Sequence, residues 1–229
     1  MARMKSSLVA AARACFLVGL IGLIGLLAGA VKANEALPSL NSSDLAQGPF
    51  SYMHMLLQKT ILKINIATIE VRVDKPTQNR LTGLLSGQSY SEGLAQQLAH
   101  GVIGAERAVV QMQFKRDISL DRWMGFTRDN IEQARKAGLI TADLEKRVSQ
   151  ALPQSFAAIK SRGYEKGDRL IYAITPGGLR TAVVSAGGQV FIDRMDTEQG
   201  AQRVVLAAFF APGSDFREPL LRSLLETTR

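Results

Sequence analysis

The chain has 229 residues, a formal net charge of +8 at pH 7, and 46% hydrophobic residues, which is enough to bury a core. Its basic residues are scattered among acidic ones, and no basic stripe carries interleaved aromatic residues, so a nucleic-acid partner is not expected. The single cysteine, Cys15, lies in an N-terminal apolar run. The rest of the chain therefore has no disulfide and no thiolate nucleophile, and one domain held together by its core is expected.

The first 33 residues have the organisation of an export signal. Basic residues precede the apolar run of residues 16–31, and Val31-Lys32-Ala33 fits a small-x-small cleavage pattern. Removing the segment takes away four basic residues and no acidic one, which lowers the charge from +8 to +4. We predict an exported protein, periplasmic or secreted. The alternative is an uncleaved anchor in the inner membrane through residues 15–31, since this run approaches the about 18 residues of a spanning helix, and membrane contact would then be confined to it.

The first half of the remaining chain predicts a lead-in, strands and two helices. Residues 34–52 are polar and aperiodic, and they predict an irregular lead-in to a domain of residues 53–229. Residues 54–73 are rich in Ile, Val and Thr, and they predict one long strand or two strands with a bend. Residues 74–87 predict a turn and a short helix, and Ser91 is the expected N-cap of the next helix.

The segment from residue 108 to residue 130 organises the predicted site. Residues 108–118 alternate apolar and polar side chains, as in a half-buried strand. One face of this strand carries four apolar residues and one arginine: Val110, Met112, Phe114, Ile118 and Arg116. A guanidinium in that register must be paired, must snorkel to the sheet margin or must wait for an anion. Ser119 is the expected N-cap of a helix that carries Trp123, Phe126 and Asn130 near one stripe.

The C-terminal half predicts helix, meander and helices. Thr141 is the expected cap of a helix that Pro153 should bend or divide. Three short apolar runs at residues 169–174, 179–184 and 189–192, separated by glycine-containing turns, predict an antiparallel meander. Two helices follow, at residues 198–210 and 216–225. This order predicts an α+β domain with helices layered on one face of an antiparallel sheet.

Several strings in this order resemble the chalcone isomerase-like superfamily, in particular its small exported bacterial members. The strings are KTILKINIATIEVRV at residues 59–73, FKRDIS at 114–119 with a Trp and an Asn on the following helix, KGDRL at 166–170, PGG at 176–178, and FFAPGSDFREPLLRSLL at 209–225. The resemblance covers roughly residues 55–225. It implies an open-faced β-sandwich, in which an antiparallel sheet wraps around a layer of α-helices and leaves a hydrophobic cleft between them.

For the plant enzymes of this superfamily, the resemblance implies an arginine, a threonine and a tyrosine that polarise a ketone and position a water and the attacking phenolate. Laid on this chain, these groups fall on Met53, Asn65 and Trp123, while a cleft asparagine is matched by Asn130. Methionine cannot hold an anion and indole has no acidic hydroxyl, so the flavonoid reaction is not expected. An isomerase (intramolecular lyase) acting on an unknown substrate, with Asn65, Asn130 and Arg116 as donors, is the alternative.

Other superfamily members bind fatty acids, and the resemblance implies a basic residue and a hydroxyl that hold the carboxylate. We therefore expect a non-catalytic binder of a fatty acid or other hydrophobic carboxylate, gripped by Arg116 or Lys63. The other expected ligand-binding residues are Met112, Phe114, Trp123, Phe126, Asn65 and Asn130. The competing interpretation is a structural or assembly protein without a ligand, whose aromatics are plain core and whose Arg116 pairs with a nearby carboxylate of Asp117, Asp121 or Glu106.

No metal site and no cofactor are expected. His54 and His100 lie far apart and have no further ligands at metal-binding spacing. Gly177-Gly178 and Gly187-Gly188 are typical of hairpin turns, since no helix follows them to hold a phosphate. Asp168 is expected to accept backbone hydrogen bonds in its turn.

Overall fold

The computed structural model describes residues 36–59, 64–198 and 200–226, together with the backbone of Gly29–Ala30. The strands are β1 (Gly29–Ala30), β2 (Tyr52–Lys59), β3 (Ile64–Val73), β4 (Ala108–Phe114), β5 (Arg169–Thr175), β6 (Gly178–Val184) and β7 (Val190–Asp196). The helices are α1 (Lys75–Leu85), α2 (Glu92–Ile103), α3 (Leu120–Lys136), α4 (Ala142–Ser155), α5 (Ala201–Phe210) and α6 (Arg217–Glu226). Most of the predicted export signal lies outside the described residues. Within them, no helix combines the length and the hydrophobicity needed to cross a bilayer.

All strands join one antiparallel sheet in the order β1-β7-β6-β5-β4-β3-β2, to which β1 adds only two residues at one edge. The helices pack on one face of this sheet, and the core lies between the two layers. At its centre, Met112 of β4 lies between Ile69 of β3 and Leu170 of β5, and all three side chains are fully buried. The predicted α+β class, with an antiparallel sheet wrapped around helices, is confirmed.

The described part of the lead-in, residues 36–51, contributes to the core. It crosses the face of the sheet opposite the helices, where Leu45 packs with Val109, Ile171 and Ala182 in a second, smaller hydrophobic cluster. The backbone N–H of Ala46 also donates to the carbonyl of Val73 at 3.0 Å. The lead-in therefore shields apolar residues at the centre of the outer face, which the helices leave uncovered.

The expected helix starts are confirmed at three N-caps. The hydroxyls of Ser91, Ser119 and Thr141 each accept the backbone N–H three residues later, which satisfies an otherwise unpaired donor of the first turn. Pro153 does not divide the helix at its own position. α4 continues through it and ends two residues later at Ser155.

Of the two alternatives predicted for residues 54–73, one long strand or two with a bend, the structure has two strands, β2 and β3, which pair antiparallel. Their pairing contains a bulge, since Leu57 pairs with Ala67 but Gln58 pairs with Asn65, which leaves Ile66 as the extra residue. An extra residue exchanges the faces on which the following side chains lie. Asn65 is therefore exposed beside Gln58, whose amide donates to it at 2.7 Å, and it does not share the helix-facing side of Ala67.

Asp74 provides a pH-dependent contribution to stability. Its carboxylate caps α1 by accepting the backbone N–H of Thr77 and also accepts that of Arg107, each at 2.8 Å. Burial alone would raise the pKa of Asp74, but these hydrogen bonds outweigh burial and lower the pKa below its usual value of 3.8. Its contribution is thus complete above that value and is lost as pH falls through the lowered pKa of the folded state. We expect Asp74→Asn to destabilise the protein by about 1 kcal/mol at pH 7, because asparagine can still cap α1 but its amide nitrogen cannot accept the Arg107 N–H.

The measurement is thermal unfolding of wild type and Asp74→Asn at pH 7 and pH 3. The difference in Tm between the two proteins should shrink at pH 3, which lies below the usual pKa of 3.8, because the Asp74 carboxylate of the unfolded chain is then largely protonated. A difference that is the same at both pH values would contradict the assigned role of the carboxylate charge.

Candidate functional site

The predicted site lies in an aromatic cluster between the sheet and the helices. We use this name for the connected rings of Phe114, Trp123, Phe126, Tyr164, Phe209 and Phe216. Trp123 lies near its centre, with its ring centroid 5.4 Å from that of Phe114 and 5.9 Å from that of Tyr164. Phe114 also stacks on Tyr164 at 4.1 Å. Of the predicted apolar wall, Met112, Phe114 and Trp123 are buried, and Phe126 is half-buried.

Two hydrogen-bond donors inside this cluster have no partner. Trp123 Nε1 and Tyr164 Oη are both buried, and neither is hydrogen-bonded to any residue that the structure describes. An indole N–H or a phenol O–H in an apolar interior normally finds an acceptor, because burying it unpaired costs free energy. The pair thus offers two unsatisfied donors to an acceptor group that enters the cluster.

The electrostatic surroundings of Tyr164 keep its hydroxyl protonated. Burial, with further contributions from Tyr172 and the Asp168 carboxylate, raises the pKa of Tyr164 well above its usual value of 10. Burial likewise raises the pKa of Tyr172, an effect that Arg194 partly opposes. Both phenols are therefore neutral over the range in which the protein would be studied, and Tyr164 can act as a donor but not as a general base.

The position of Tyr164 depends on a close approach between two connections. Its backbone N–H and carbonyl exchange hydrogen bonds with Ile118, at 2.9 and 2.8 Å, in the stretch that joins β4 to α3. The preceding Gly163 has a positive φ of 67°, and a Cβ there would lie 2.5 Å from the Ile118 carbonyl oxygen. Our sequence reasoning missed Tyr164. Its only local signal was an aromatic residue directly after a glycine, at the point where helix gives way to strand.

The orientation expected for Arg116 is wrong. β4 ends at Phe114, and the chain bends at residues 115–116, so the alternation that placed Arg116 beside Met112 stops before reaching it. The Arg116 side chain is exposed and has no ion pair with any described residue. The alternative pairing with Asp117, Asp121 or Glu106 is not present either. No guanidinium from Arg116 therefore reaches the aromatic cluster.

The remaining predicted polar residues do not converge on Trp123. Asn65 is exposed on the outer face of the sheet, and Lys63 lies outside the described residues. Met53, at the position of the plant arginine, is fully buried in the core. The three donors considered for an enzyme, Asn65, Asn130 and Arg116, are thus not brought together at one point.

Asn130 is buried on α3 but its amide is already hydrogen-bonded. Its Nδ2 donates to the carbonyl of Phe126 at 2.9 Å, and its Oδ1 lies 2.9 Å from the hydroxyl of Ser214. That hydroxyl belongs to the connection between α5 and α6 and also lies 2.8 Å from the carbonyl of Ala208. Asn130 therefore ties α3 to this connection, a role that needs no ligand.

A separate groove lies at one end of the helical layer, away from the predicted residues. Its volume is about 400 Å³, within the range of small-molecule sites. It is lined mainly by side chains from the end of α2, the first half of α5 and the connection after α3: His100, Ile103, Leu139, Gln202, Arg203 and Leu206. Arg203 is exposed, and Gln202 Oε1 is buried without a hydrogen-bond partner among the described residues. Elsewhere in the described part of the chain, no three potential ligands cluster as a metal site would require.

Comparisons with known proteins bear on the fold. No protein-family model matches the chain, and no curated protein sequence matches it significantly. A solved structure that does match is the crystal structure of a fatty-acid binding protein from Arabidopsis thaliana, with a TM-score of 0.55. The match covers 83% of this chain and 91% of the plant protein. The fold is chalcone isomerase-like. At 10% sequence identity, the likeness of this chain to the plant protein is one of fold alone.

Proposed function

We propose that this protein is a non-catalytic binder of a hydrophobic molecule of the fatty-acid type, held in the aromatic cluster between the sheet and α3. The observation that carries the proposal is the pair of unpartnered buried donors, Trp123 Nε1–H and Tyr164 Oη–H, in otherwise apolar surroundings. An apolar site with a few placed polar groups is the usual form of a lipid-sized pocket. The name of the plant protein of similar fold adds support for a fatty acid as the ligand.

The proposal differs in one respect from the site expected from sequence. The sequence predicts that Arg116 binds the carboxylate, but the Arg116 side chain is exposed beyond the end of β4. In the revised site, Trp123 and Tyr164 contact the polar end of the ligand, while Met112, Phe114 and Phe126 line its apolar part. Arg116→Ala then serves as a matched surface control, and we expect it to leave both ligand affinity and stability unchanged.

The first experiment is native mass spectrometry of the protein purified without organic solvent, before and after delipidation. We expect one lipid-sized adduct that delipidation removes. The delipidated protein is then titrated with dodecanoic acid and with dodecan-1-ol while the emission of Trp123, the single tryptophan of the chain, is recorded. A protein that carries no adduct and whose emission responds to neither compound would rule the proposal out.

We also propose that the protein is exported and loses residues 1–33. The proposal is supported by the basic start, the apolar run and the Val31-Lys32-Ala33 pattern. We expect the mature protein in the periplasm or the medium to begin at Asn34, as measured by intact mass and N-terminal sequencing. An intact N-terminus in the membrane fraction would instead indicate the uncleaved anchor.

A further inference from the structure

Among the residues that the structure describes, none of those forming the aromatic cluster carries a positive charge that could neutralise a ligand. The two unpartnered donors of the cluster, on Trp123 and Tyr164, are uncharged. Arg116, the cation that sequence placed there, is exposed. This combination does not suit an ionised carboxylate, because a carboxylate removed from water without a cation loses far more hydration energy than two neutral hydrogen bonds return.

The charged groups around Tyr164 make an anion still less favourable. The carboxylate of Asp168 contributes to raising the pKa of Tyr164. This carboxylate forms an ion pair with Arg162, in which Nη1 lies 2.7 Å from Oδ2. Arg162 also lies against the ring of Phe191 and forms a second ion pair with Glu165. Its positive charge is therefore already paired. Tyr172, the remaining titratable group that acts on Tyr164, is a neutral phenol.

A neutral oxygen fits the same donors well. The oxygen of a carbonyl or an alcohol has two lone pairs and can accept two hydrogen bonds, and it gives up much less hydration on burial than a carboxylate does. The rings that carry the two donors are neighbours, 5.9 Å apart and nearly perpendicular at 78°. Trp123 lies on α3, and Tyr164 lies in the connection between α4 and β5.

We propose that the polar end of the ligand binds in an un-ionised form, as an ester, an alcohol or a protonated carboxylic acid, and accepts hydrogen bonds from Trp123 Nε1 and Tyr164 Oη. This inference rests on the proposed function, which it refines by specifying the ligand class. The protein therefore selects neutral lipids over the fatty-acid anion that prevails at neutral pH.

The test compares three probes with the same alkyl chain: dodecanoic acid, dodecan-1-ol and methyl dodecanoate, all at concentrations below aggregation. Binding to the delipidated protein at pH 7.5 is measured by calorimetry and by the emission of Trp123. The alcohol and the ester should bind with similar affinity. A carboxylic acid with an ordinary pKa near 4.3 is only about one part in a thousand neutral at this pH, so the acid should bind up to about a thousandfold more weakly.

A pH series and matched variants sharpen the comparison. Between pH 7.5 and pH 5.5, the affinity for the acid should rise at least tenfold while the affinity for the alcohol stays constant, since Tyr164 remains protonated throughout. Tyr164→Phe should lower the affinity for the alcohol about three- to tenfold, which is the usual effect of losing one neutral hydrogen bond. Arg116→Ala should change nothing, and thermal unfolding checks that each variant is folded.

The outcomes separate this inference from the proposed function. Dodecanoic acid binding at pH 7.5 less than tenfold more weakly than the alcohol, with an emission change at Trp123, would overturn the inference and leave the function standing. An alcohol affinity that Tyr164→Phe does not alter would also overturn it. Acid binding that is lost in Arg203→Ala, without an emission change, would place an ionised ligand in the groove instead. Binding of none of the probes would refute the function itself.

Discussion

Replacing Gly163 by alanine should destabilise the protein by about 3 kcal/mol or more and displace Tyr164 from the aromatic cluster. Gly163 has a φ of 67°, which a residue with a Cβ adopts only under strain. The new Cβ would also lie 2.5 Å from the Ile118 carbonyl oxygen and 3.1 Å from the Leu120 backbone nitrogen. Since both contacts are backbone atoms, relief requires the two connections to separate, which breaks the hydrogen bonds between Ile118 and Tyr164.

Gly138→Ala is the matched control for this prediction. Gly138 also has a positive φ, 72°, but a Cβ there meets nothing within 4 Å. Gly138→Ala should therefore lower the free energy of unfolding only by the backbone strain, about 1 kcal/mol. Urea unfolding of the three proteins measures the difference, and Trp123 emission reports whether the cluster has loosened. Equal losses in the two variants would show that the close approach at Gly163 has no energetic role.

The helices could be read from sequence because their signals are local. Ser91, Ser119 and Thr141 cap the expected helices, since a short hydroxyl side chain needs only the backbone three residues ahead. The meander was equally clear, because its turns contain the glycines that tight reversals require. Such patterns act within a few residues and depend little on distant parts of the chain.

The positions of Arg116 and Asn65 were predicted wrongly because they depend on residues that are distant in sequence. β4 ends at Phe114, and after one more backbone hydrogen bond, from the Lys115 N–H to the Ile66 carbonyl beside the bulge of β3, the chain bends away. An alternating pattern carries no information about a bulge in the neighbouring strand, so the pattern continued through Arg116 and the strand did not. The same bulge moved Asn65 to the outer face. The bulge in β3 thus explains the position of Asn65, and the end of β4 at Phe114 explains that of Arg116.

Only part of the candidate site could be predicted from sequence, because one of its residues is brought in by a long-range contact. Met112, Phe114 and Trp123 lie within one strand–helix unit, so their proximity follows from the period of each element. Tyr164 is 41 positions beyond Trp123 and reaches the cluster through its pairing with Ile118. Without that long-range contact, sequence reasoning assigned the carboxylate to a cation, Arg116 or Lys63. The resulting hypothesis therefore had an anionic ligand, whereas the folded site presents neutral donors.

Asp168→Ala should be the second strongly destabilising change, with a loss of about 2–4 kcal/mol. The Asp168 side chain is buried, and its Oδ2 accepts both Arg162 Nη1 at 2.7 Å and the Glu165 backbone N–H at 2.9 Å. Its backbone carbonyl accepts the N–H of Phe114. Alanine would keep that backbone bond but leave the guanidinium and the Glu165 amide without their buried acceptor.

Asp168→Asn separates the charge from the hydrogen bonds. Asparagine retains one acceptor oxygen at the same place, so it should lose roughly half as much stability as alanine, because only the ionic part of the contact with Arg162 disappears. Because Asp168 closes the turn that follows Tyr164, we also expect the alanine variant to bind dodecan-1-ol more weakly than wild type at a temperature where both are folded. Urea unfolding gives the stabilities, and the alcohol titration followed through Trp123 gives the affinity. An alanine variant as stable as wild type would contradict the inferred role of this carboxylate in holding Tyr164 under the sheet.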